Sequence, residues 1–223
     1  FTSSLAQASR LIAYRGGLTS GGPAWTVSGF WIPNLHFELN AWNCFENRFK
    51  KVVKGKGQID EQFRGRGLQR KITLESLEAD SNLTIFNRSC TQLSSYVPSD
   101  SVDYIFTDPP YGDSVPYLEY STIWSAWLGH EVDYDNEIVV SNSGERSKNI
   151  ENYRDLMHEA LHECYRVLKH GKWLSLTFHN RDMEVWDAIV GAASEAGFEL
   201  INCLYQVPAV VSAKAQLSRS GST

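Results

Sequence analysis

The sequence has few cysteines and no long apolar run, and each shortage excludes a class of protein. The cysteines, Cys44, Cys90, Cys164 and Cys203, lie 46, 74 and 39 residues apart. No CxxC pair exists, which excludes a zinc ribbon, and we expect buried free thiols in a reducing cytoplasm. No apolar segment approaches the roughly 20 residues of a membrane-spanning helix, and the first residues lack the pattern of a signal peptide. We therefore expect a cytoplasmic protein with no membrane partner.

An overall excess of basic residues is also missing, which excludes a uniformly basic nucleic-acid coat. The formal net charge of the 223 residues is −5, yet residues 48–71 alone carry nine basic and two acidic side chains, a local charge of +7 against −12 elsewhere. Four glycines loosen this segment, so we expect a mobile basic arm or loop. Its Lys50, Lys51 and Lys54 are candidates for binding DNA phosphates, with a solvated helix end as the alternative.

The pattern of apolar residues predicts an α/β domain. In the first part of the chain it predicts a helix over 2–14, a glycine-rich turn over 16–23, a strand over 24–33 and a helix over 37–53. From residue 82 it predicts strands over 83–89, 101–112, 172–180 and 198–208, and helices over 151–168 and 183–196. Such alternation is typical of right-handed βαβ crossovers and a parallel sheet. We divide the chain into an N-terminal segment, 1–81, which is an insertion or a target-recognition element, and a catalytic segment, 82–223.

The tetrapeptide Asp108-Pro109-Pro110-Tyr111 follows the predicted strand SVDYIFT and so lies at a carboxyl end, where ligands bind in parallel sheets. An exocyclic amine on a nucleobase is a poor nucleophile, because its lone pair is delocalised into the ring. A carboxylate and a backbone carbonyl that accept its two N–H groups can pull the nitrogen towards sp³ geometry. The prolines stiffen the loop and supply no competing N–H donor, and an aromatic ring can stack on a base taken out of the helix.

Thr107-Asp108-Pro109-Pro110-Tyr111-Gly112 resembles the catalytic motif of the S-adenosylmethionine-dependent DNA amino-methyltransferases. The segments YLEYS (117–121), RVLKHGKW (166–173) and TFHN (177–180) are similar to the following segments of predicted adenine-specific DNA methylases. The resemblance implies a doubly wound, Rossmann-like methyltransferase sheet, S-adenosylmethionine as cofactor and DNA as substrate, with restriction or other modification-system subunits as possible partners. It also implies that Asp108 holds the target amine, that the Pro109 carbonyl is the second acceptor and that Tyr111 stacks on the base.

The sequence departs from this family in one respect, because it has no glycine-rich FxGxG turn after a buried strand. Ser89 and Cys90, after the predicted strand over 83–89, are candidates for contacting the cofactor, together with Asp108. The chain begins at Phe1 rather than Met, and we expect the sheet to be incomplete at its N-terminus, with the missing turn upstream. A degenerate chain is the alternative.

Residues 158–162, HEALH, match the zinc-protease pattern HExxH. The apolar stripe of their helix consists of Tyr153, Leu156, Met157, Ala160, Leu161, Cys164, Val167 and Leu168. At about 100° per residue, the two histidines and the glutamate of the pattern, His158, Glu159 and His162, fall away from this stripe, so we expect solvent-facing residues and no metal site. The leading hypothesis is methylation of an amino group in DNA, at adenine N6 before cytosine N4. The alternatives are an RNA guanine N2 or protein glutamine methyltransferase, a catalytically inactive nucleic-acid-binding subunit and, last, a zinc protease.

Overall fold

The computed structural model describes residues 4, 11–13, 36–38, 40–64, 72–79, 81–115, 117–141 and 146–205. The strands are β1 (Leu11–Ala13), β2 (His36–Glu38), β3 (Ile72–Leu74), β4 (Leu83–Ile85), β5 (Val102–Thr107) and β6 (Leu168–Leu176). The helices are α1 (Ala41–Phe63), α2 (Tyr117–Leu128), α3 (Ile150–Val167) and α4 (Met183–Glu195), and a short 3₁₀ helix covers Cys90–Ser95. The chain is therefore a mixed α/β protein.

The strands pair two by two. β1 and β2 are antiparallel, whereas β3 pairs with β4 and β5 pairs with β6 in parallel. The β5–β6 register joins Ile105 to Leu174 and Thr107 to Leu176, with an irregularity between Val102 and Tyr104. Because α2 and α3 lie between β5 and β6 in the sequence, this pair is the crossover unit that the sequence predicts.

The hydrophobic core lies between α3, α4 and one face of β6. Tyr153, Met157 and Ile189 are almost completely buried there, and Leu174 and Leu176 of β6 pack against them. The other face of the β5–β6 pair is exposed and aromatic, and it consists of Tyr104, Phe106 and Trp173. Helices cover this sheet on one side only within the described residues.

Polar caps and one ion pair fix the ends of these helices. Asn149 and Asn152 form a reciprocal capping box at the start of α3, which satisfies two backbone N–H groups that would otherwise have no partner. Near the other end, the Glu163 carboxylate accepts hydrogen bonds from the Ser94 N–H of the 3₁₀ helix and from Arg166. Glu163 therefore fastens the 3₁₀ helix to α3.

Several predicted elements agree with the structure, and their ends differ by a few residues. α3 and α4 occupy the predicted helices over 151–168 and 183–196, and β5 ends immediately before the motif, as predicted. The buried side chains of α3 are Tyr153, Met157, Ala160, Leu161 and Val167, which all belong to the predicted apolar stripe. The predicted strands over 83–89 and 172–180 are β4 and β6, and β6 begins earlier than expected.

Other predictions about the secondary structure were wrong. Residues 11–13 of the predicted helix over 2–14 form β1, and residues 36–38 at the start of the helix over 37–53 form β2. The predicted strand over 198–208 is absent from its described part, 198–205. Apolar spacing expresses a propensity, whereas a strand also needs a neighbour that accepts its backbone hydrogen bonds. The predicted turn over 16–23 and strand over 24–33 lie outside the described residues.

The expected mobile basic arm is instead helical over its first two thirds. α1 begins at Asn40, whose side chain accepts the Asn43 N–H at 3.0 Å, and continues to Phe63 through Gly55 and Gly57. The glycines were expected to break the helix, but single helical glycines cost only about 1 kcal/mol each. The expectation of four buried thiols was also wrong in part: all four cysteines are free, but only Cys44 is buried, while Cys90 and Cys203 are exposed.

Candidate active site

The motif Asp108-Pro109-Pro110-Tyr111 occupies the loop that leaves the carboxyl end of β5. Asp108 is exposed, Pro109 is buried and Tyr111 is half-buried. The strand stops here because a proline cannot donate to the hydrogen-bond ladder of a sheet. The last ladder contact is the Thr177 N–H, which donates to the Thr107 carbonyl at 2.9 Å. The Asp108 carboxylate thus lies at the position where ligands bind in parallel sheets.

Both the hydroxyl and the ring of Tyr111 contact other side chains. Its hydroxyl donates a hydrogen bond to Asp108 Oδ1, and its ring meets the edge of Phe178 with ring centroids 5.4 Å apart. Phe178 in turn meets Trp186 at 4.8 Å. The hydrogen bond to Asp108, with burial, raises the pKa of Tyr111 to about 12, so Tyr111 is a neutral donor at physiological pH. The Asp108 carboxylate, which is predicted to hold the amine, is therefore adjacent to the Tyr111 side chain, whose ring is predicted to stack on the base.

Backbone carbonyls of the motif loop receive donors from outside the loop. The Pro110 carbonyl accepts the Tyr153 hydroxyl at 2.7 Å. The Tyr111 carbonyl accepts Asn180 Nδ2 at 2.9 Å and also the Ser114 N–H of the same loop at 3.1 Å. The Gly112 carbonyl accepts a backbone N–H, from Val140, at 3.3 Å. No donor in the described part of the chain contacts the Pro109 carbonyl.

Gly112 allows the chain to turn sharply after the motif. Its φ of +61° lies in the left-handed region, which glycine enters without steric cost. A Cβ atom at this position would lie 2.9 Å from Val185 Cγ1 and 3.1 Å from Asn180 Nδ2. Both the backbone angle and the close approach of α4 therefore require glycine here.

Ser89 and Cys90, the sequence candidates for contacting the cofactor, lie together after β4. The Ser89 side chain accepts the Thr91 N–H and begins the 3₁₀ helix, and the Ser89 carbonyl accepts the Tyr96 hydroxyl at 2.9 Å. β4 pairs with β3, and no hydrogen bond among the described residues joins Ser89 or Cys90 to the motif loop. Within the described residues, these two candidates therefore share no hydrogen bond with Asp108.

Lys50, Lys51 and Lys54 lie on α1. Lys50 forms an exposed ion pair with Glu46 at 3.0 Å, one helical turn away, and all three lysines are exposed. At about 100° per residue they share one side of the helix. The opposite side carries exposed apolar side chains, which include Phe49, Val52, Ile59 and Phe63. The lysines thus form a basic face of α1.

The HEALH segment lies on α3, and the prediction that its two histidines and its glutamate face solvent is confirmed for two of the three. Glu159 and His162 are exposed and His158 is half-buried, and the two imidazole rings are 6.1 Å apart between centroids. Among the residues that the structure describes, no three His, Cys, Asp or Glu side chains cluster in a way that could hold a metal ion. In the same part of the chain, no helix has the length and hydropathy that crossing a bilayer requires.

Sequence reasoning missed Tyr153, which lies 43 residues from its carbonyl partner in the motif. It placed Tyr153 in the apolar stripe of its helix, and a tyrosine in such a stripe needs a partner for its hydroxyl. It also missed Asn180, which lies 69 residues from Tyr111. The signal for Asn180 is its place after the carboxyl end of β6, next to the end of β5 in a parallel pair.

Comparison with known proteins identifies a family over the part of the chain that contains the motif loop. The sequence model of the N6/N4 DNA methylase family, described as DNA methylase, matches residues 102–215, about half of the chain. No curated protein and no solved structure matches the chain. The matched range contains β5, the motif loop, α3, β6 and α4, and therefore every contact of the motif loop described above. The chain belongs to the family of N6/N4 DNA methylases.

Proposed function

We propose that this chain methylates the exocyclic amino group of adenine, N6, in DNA, with that of cytosine, N4, as the second candidate. The observation that carries the proposal is the pair of oxygens at the end of β5: the exposed Asp108 carboxylate and the Pro109 carbonyl, which has no donor among the described residues. An amino group carries two N–H donors, so these two oxygens match its hydrogen-bonding capacity.

The residues of the loop would act mainly by positioning the amine. When Asp108 and the Pro109 carbonyl accept the two N–H groups, the nitrogen lone pair is directed away from both oxygens and towards the methyl donor. Holding the reactants in this geometry can supply much of the rate enhancement. Tyr111 would stack on the extruded base, because its ring is held edge-on against Phe178 and is therefore fixed in orientation. The nitrogen loses one proton after transfer, and Asp108 is the nearest carboxylate to receive it.

S-adenosylmethionine is the methyl donor that family membership favours, and its sulfonium would supply an electrophilic methyl group. The Ser89 side chain caps the 3₁₀ helix, and no hydrogen bond among the described residues joins Ser89 or Cys90 to the motif loop. Ser89, Cys90 and Asp108 are the residues proposed to contact the cofactor.

The proposal also includes a doubly wound sheet and DNA binding by the basic face of α1. A parallel sheet normally has helices on both faces, and the exposed aromatic face of the β5–β6 pair fits a doubly wound sheet with a second layer. Lys50, Lys51 and Lys54 are proposed to contact DNA phosphates, because exposed lysines on one face of a helix can neutralise a phosphate backbone. Restriction or modification-system subunits and a cytoplasmic location stay predictions.

The test is methyl transfer from tritiated S-adenosylmethionine to unmethylated genomic DNA by the full chain and by Asp108→Ala. We expect the variant to lose at least about 100-fold in rate, because a hydrogen bond to a charged group contributes about 1.5–3 kcal/mol and the charge is also lost. Asp113→Ala is the matched control, since Asp113 is an exposed carboxylate of the same loop outside the motif. Near-normal transfer by Asp108→Ala would contradict the proposal.

Nucleoside analysis of the product decides the target. Tritium in N6-methyldeoxyadenosine supports adenine, and tritium in N4-methyldeoxycytidine supports cytosine. Label that enters RNA or protein and leaves DNA unlabelled would favour the guanine N2 or glutamine methyltransferase. The absence of any calorimetric binding of S-adenosylmethionine to the full chain would favour an inactive nucleic-acid-binding subunit.

A further inference from the structure

Backbone hydrogen bonds alone do not fix the shape of the motif loop. Pro109 and Pro110 have no N–H group, so two successive peptide units of the loop can only accept hydrogen bonds. Pro110 also restricts Pro109 to an extended ψ, whereas the ψ angles of Pro110 and Tyr111, which set the directions of their carbonyls, are not restricted in this way. The Ser114 N–H of the same loop donates to the Tyr111 carbonyl at 3.1 Å, and groups from other elements orient the Pro110 and Tyr111 carbonyls as well.

Tyr153 provides the first of these groups, from the first turn of α3. Its side chain is 0 % exposed and packs in the core with Met157 and Ile189. Its hydroxyl donates to the Pro110 carbonyl at 2.7 Å, and burial raises its pKa, so it keeps its proton. Because its ring is enclosed by the core, the position of this hydroxyl is set by the packing of α3 against α4.

Asn180 provides the second group, from the loop between β6 and α4. Its Oδ1 accepts the Asp182 N–H at 2.8 Å, and its backbone carbonyl accepts Trp186 Nε1 at 3.0 Å. Since Oδ1 is the only acceptor atom of the side chain, these contacts assign Nδ2 to the Tyr111 carbonyl. Asn180 is therefore anchored to the start of α4 on one side and to the motif loop on the other.

We propose that Tyr153 and Asn180 are positioning residues, which orient the motif loop so that the Asp108 carboxylate and the Pro109 carbonyl both face the target amine. The inference rests on the proposed function for the identity of the amine, whereas the orientation of the loop rests on the two hydrogen bonds. The two donors reach adjacent peptide units, those of Pro110 and Tyr111, from different elements. Loss of either donor would leave the loop attached but with a wider range of orientations.

The kinetic test compares Tyr153→Phe with Tyr104→Phe in the full chain. Each variant loses one hydroxyl and keeps its ring, and the Tyr104 hydroxyl bonds Ser175 Oγ at 2.6 Å, between β5 and β6 and away from the motif loop. We expect Tyr153→Phe to lower kcat for DNA methylation about tenfold with the KM for S-adenosylmethionine unchanged, and Tyr104→Phe to stay within about twofold of wild type. Equal kcat values for the two variants would overturn the inference for Tyr153.

Hydrogen–deuterium exchange tests the same inference without enzyme activity. In Tyr153→Phe and in Asn180→Ala, we expect amide exchange of the peptide over 111–115 to rise at least about fivefold, with exchange in α3 and α4 unchanged. Tyr104→Phe should leave this peptide as in wild type. Unchanged exchange in both test variants would overturn the inference, even if the wild-type chain methylates DNA. Altered exchange with a wild-type chain that labels no DNA would support the positioning role and count against the proposed function alone.

Discussion

We predict that Gly112→Ala lowers the free energy of unfolding, by an amount that can be divided experimentally into backbone strain and overpacking. Two independent costs add at this position. The φ of +61° is a left-handed conformation that costs an L-residue about 1–2 kcal/mol. The new Cβ would also lie 2.9 Å from Val185 Cγ1, and because Val185 is buried in the core it cannot move aside freely. Overpacking of this kind costs about 1–3 kcal/mol, so we expect a total loss of about 2–5 kcal/mol.

Urea unfolding of the full chain measures this loss as a lower midpoint with an unchanged m-value. Gly129→Ala is the matched control, because Gly129 has a φ of +69° and no atom within 4 Å of the added Cβ. It should lose only the backbone part, about 1–2 kcal/mol. The difference between the two variants is then the cost of the contact with α4.

The double variant Gly112→Ala/Val185→Ala separates the contact from the backbone strain. Val185→Ala alone should cost about 2 kcal/mol through the cavity it creates. In the double variant the methyl groups of the valine are gone and the Cβ added at position 112 no longer meets them. The combined loss should therefore be about 1–3 kcal/mol smaller than the sum of the single losses. An additive double variant, or a Gly112→Ala loss no larger than that of Gly129→Ala, would refute this account of the turn.

Three further predictions concern the carboxylate, acid stability and the basic face. Tyr111→Phe removes the donor that occupies Asp108 Oδ1, so we expect a several-fold lower KM for DNA with stacking preserved. Glu163→Gln should cost about 2 kcal/mol at pH 7 through its lost charged hydrogen bonds. Arg166 holds the pKa of Glu163 below its ordinary value of 4.5, so its contribution is present above that pH and is lost as pH falls below it. Lys51→Gln/Lys54→Gln should reduce the slope of log K for DNA against log salt by about 1.8.

Each of these predictions has a control and a contradicting result. As a control, Tyr111→Ala should raise the KM for DNA because the ring is lost. If Tyr111→Phe also raises the KM for DNA, the hydroxyl assists binding and the prediction is wrong. Glu195→Gln removes an exposed ion pair and should change stability little. A Glu163→Gln loss that persists unchanged at about pH 3 would exclude the assigned charge effect. If the two lysine substitutions leave the slope of log K against log salt unchanged, DNA does not bind to the basic face of α1.

Local patterns in the sequence predicted the parts of the fold that depend on local physics. Apolar residues at helical spacing predicted α3 and α4 and the buried face of α3, because burial of one face is what stabilises such a helix. The two prolines predicted the end of β5, because a proline cannot continue the ladder. The apolar pattern predicted a strand over 198–208 that is absent from its described residues, because these have no neighbouring strand.

The sequence by itself determined the chemistry of the motif: a carboxylate, a carbonyl without a competing donor and an aromatic ring, in one loop at the end of a strand. Only the tertiary structure decided which groups hold that loop. Tyr153 and Asn180 lie 43 and 69 residues from their carbonyl partners, and their contacts with the loop depend on how α3 and α4 pack against β6. Residue types and short-range order carry the first kind of information, whereas the second depends on long-range packing, which no local pattern encodes.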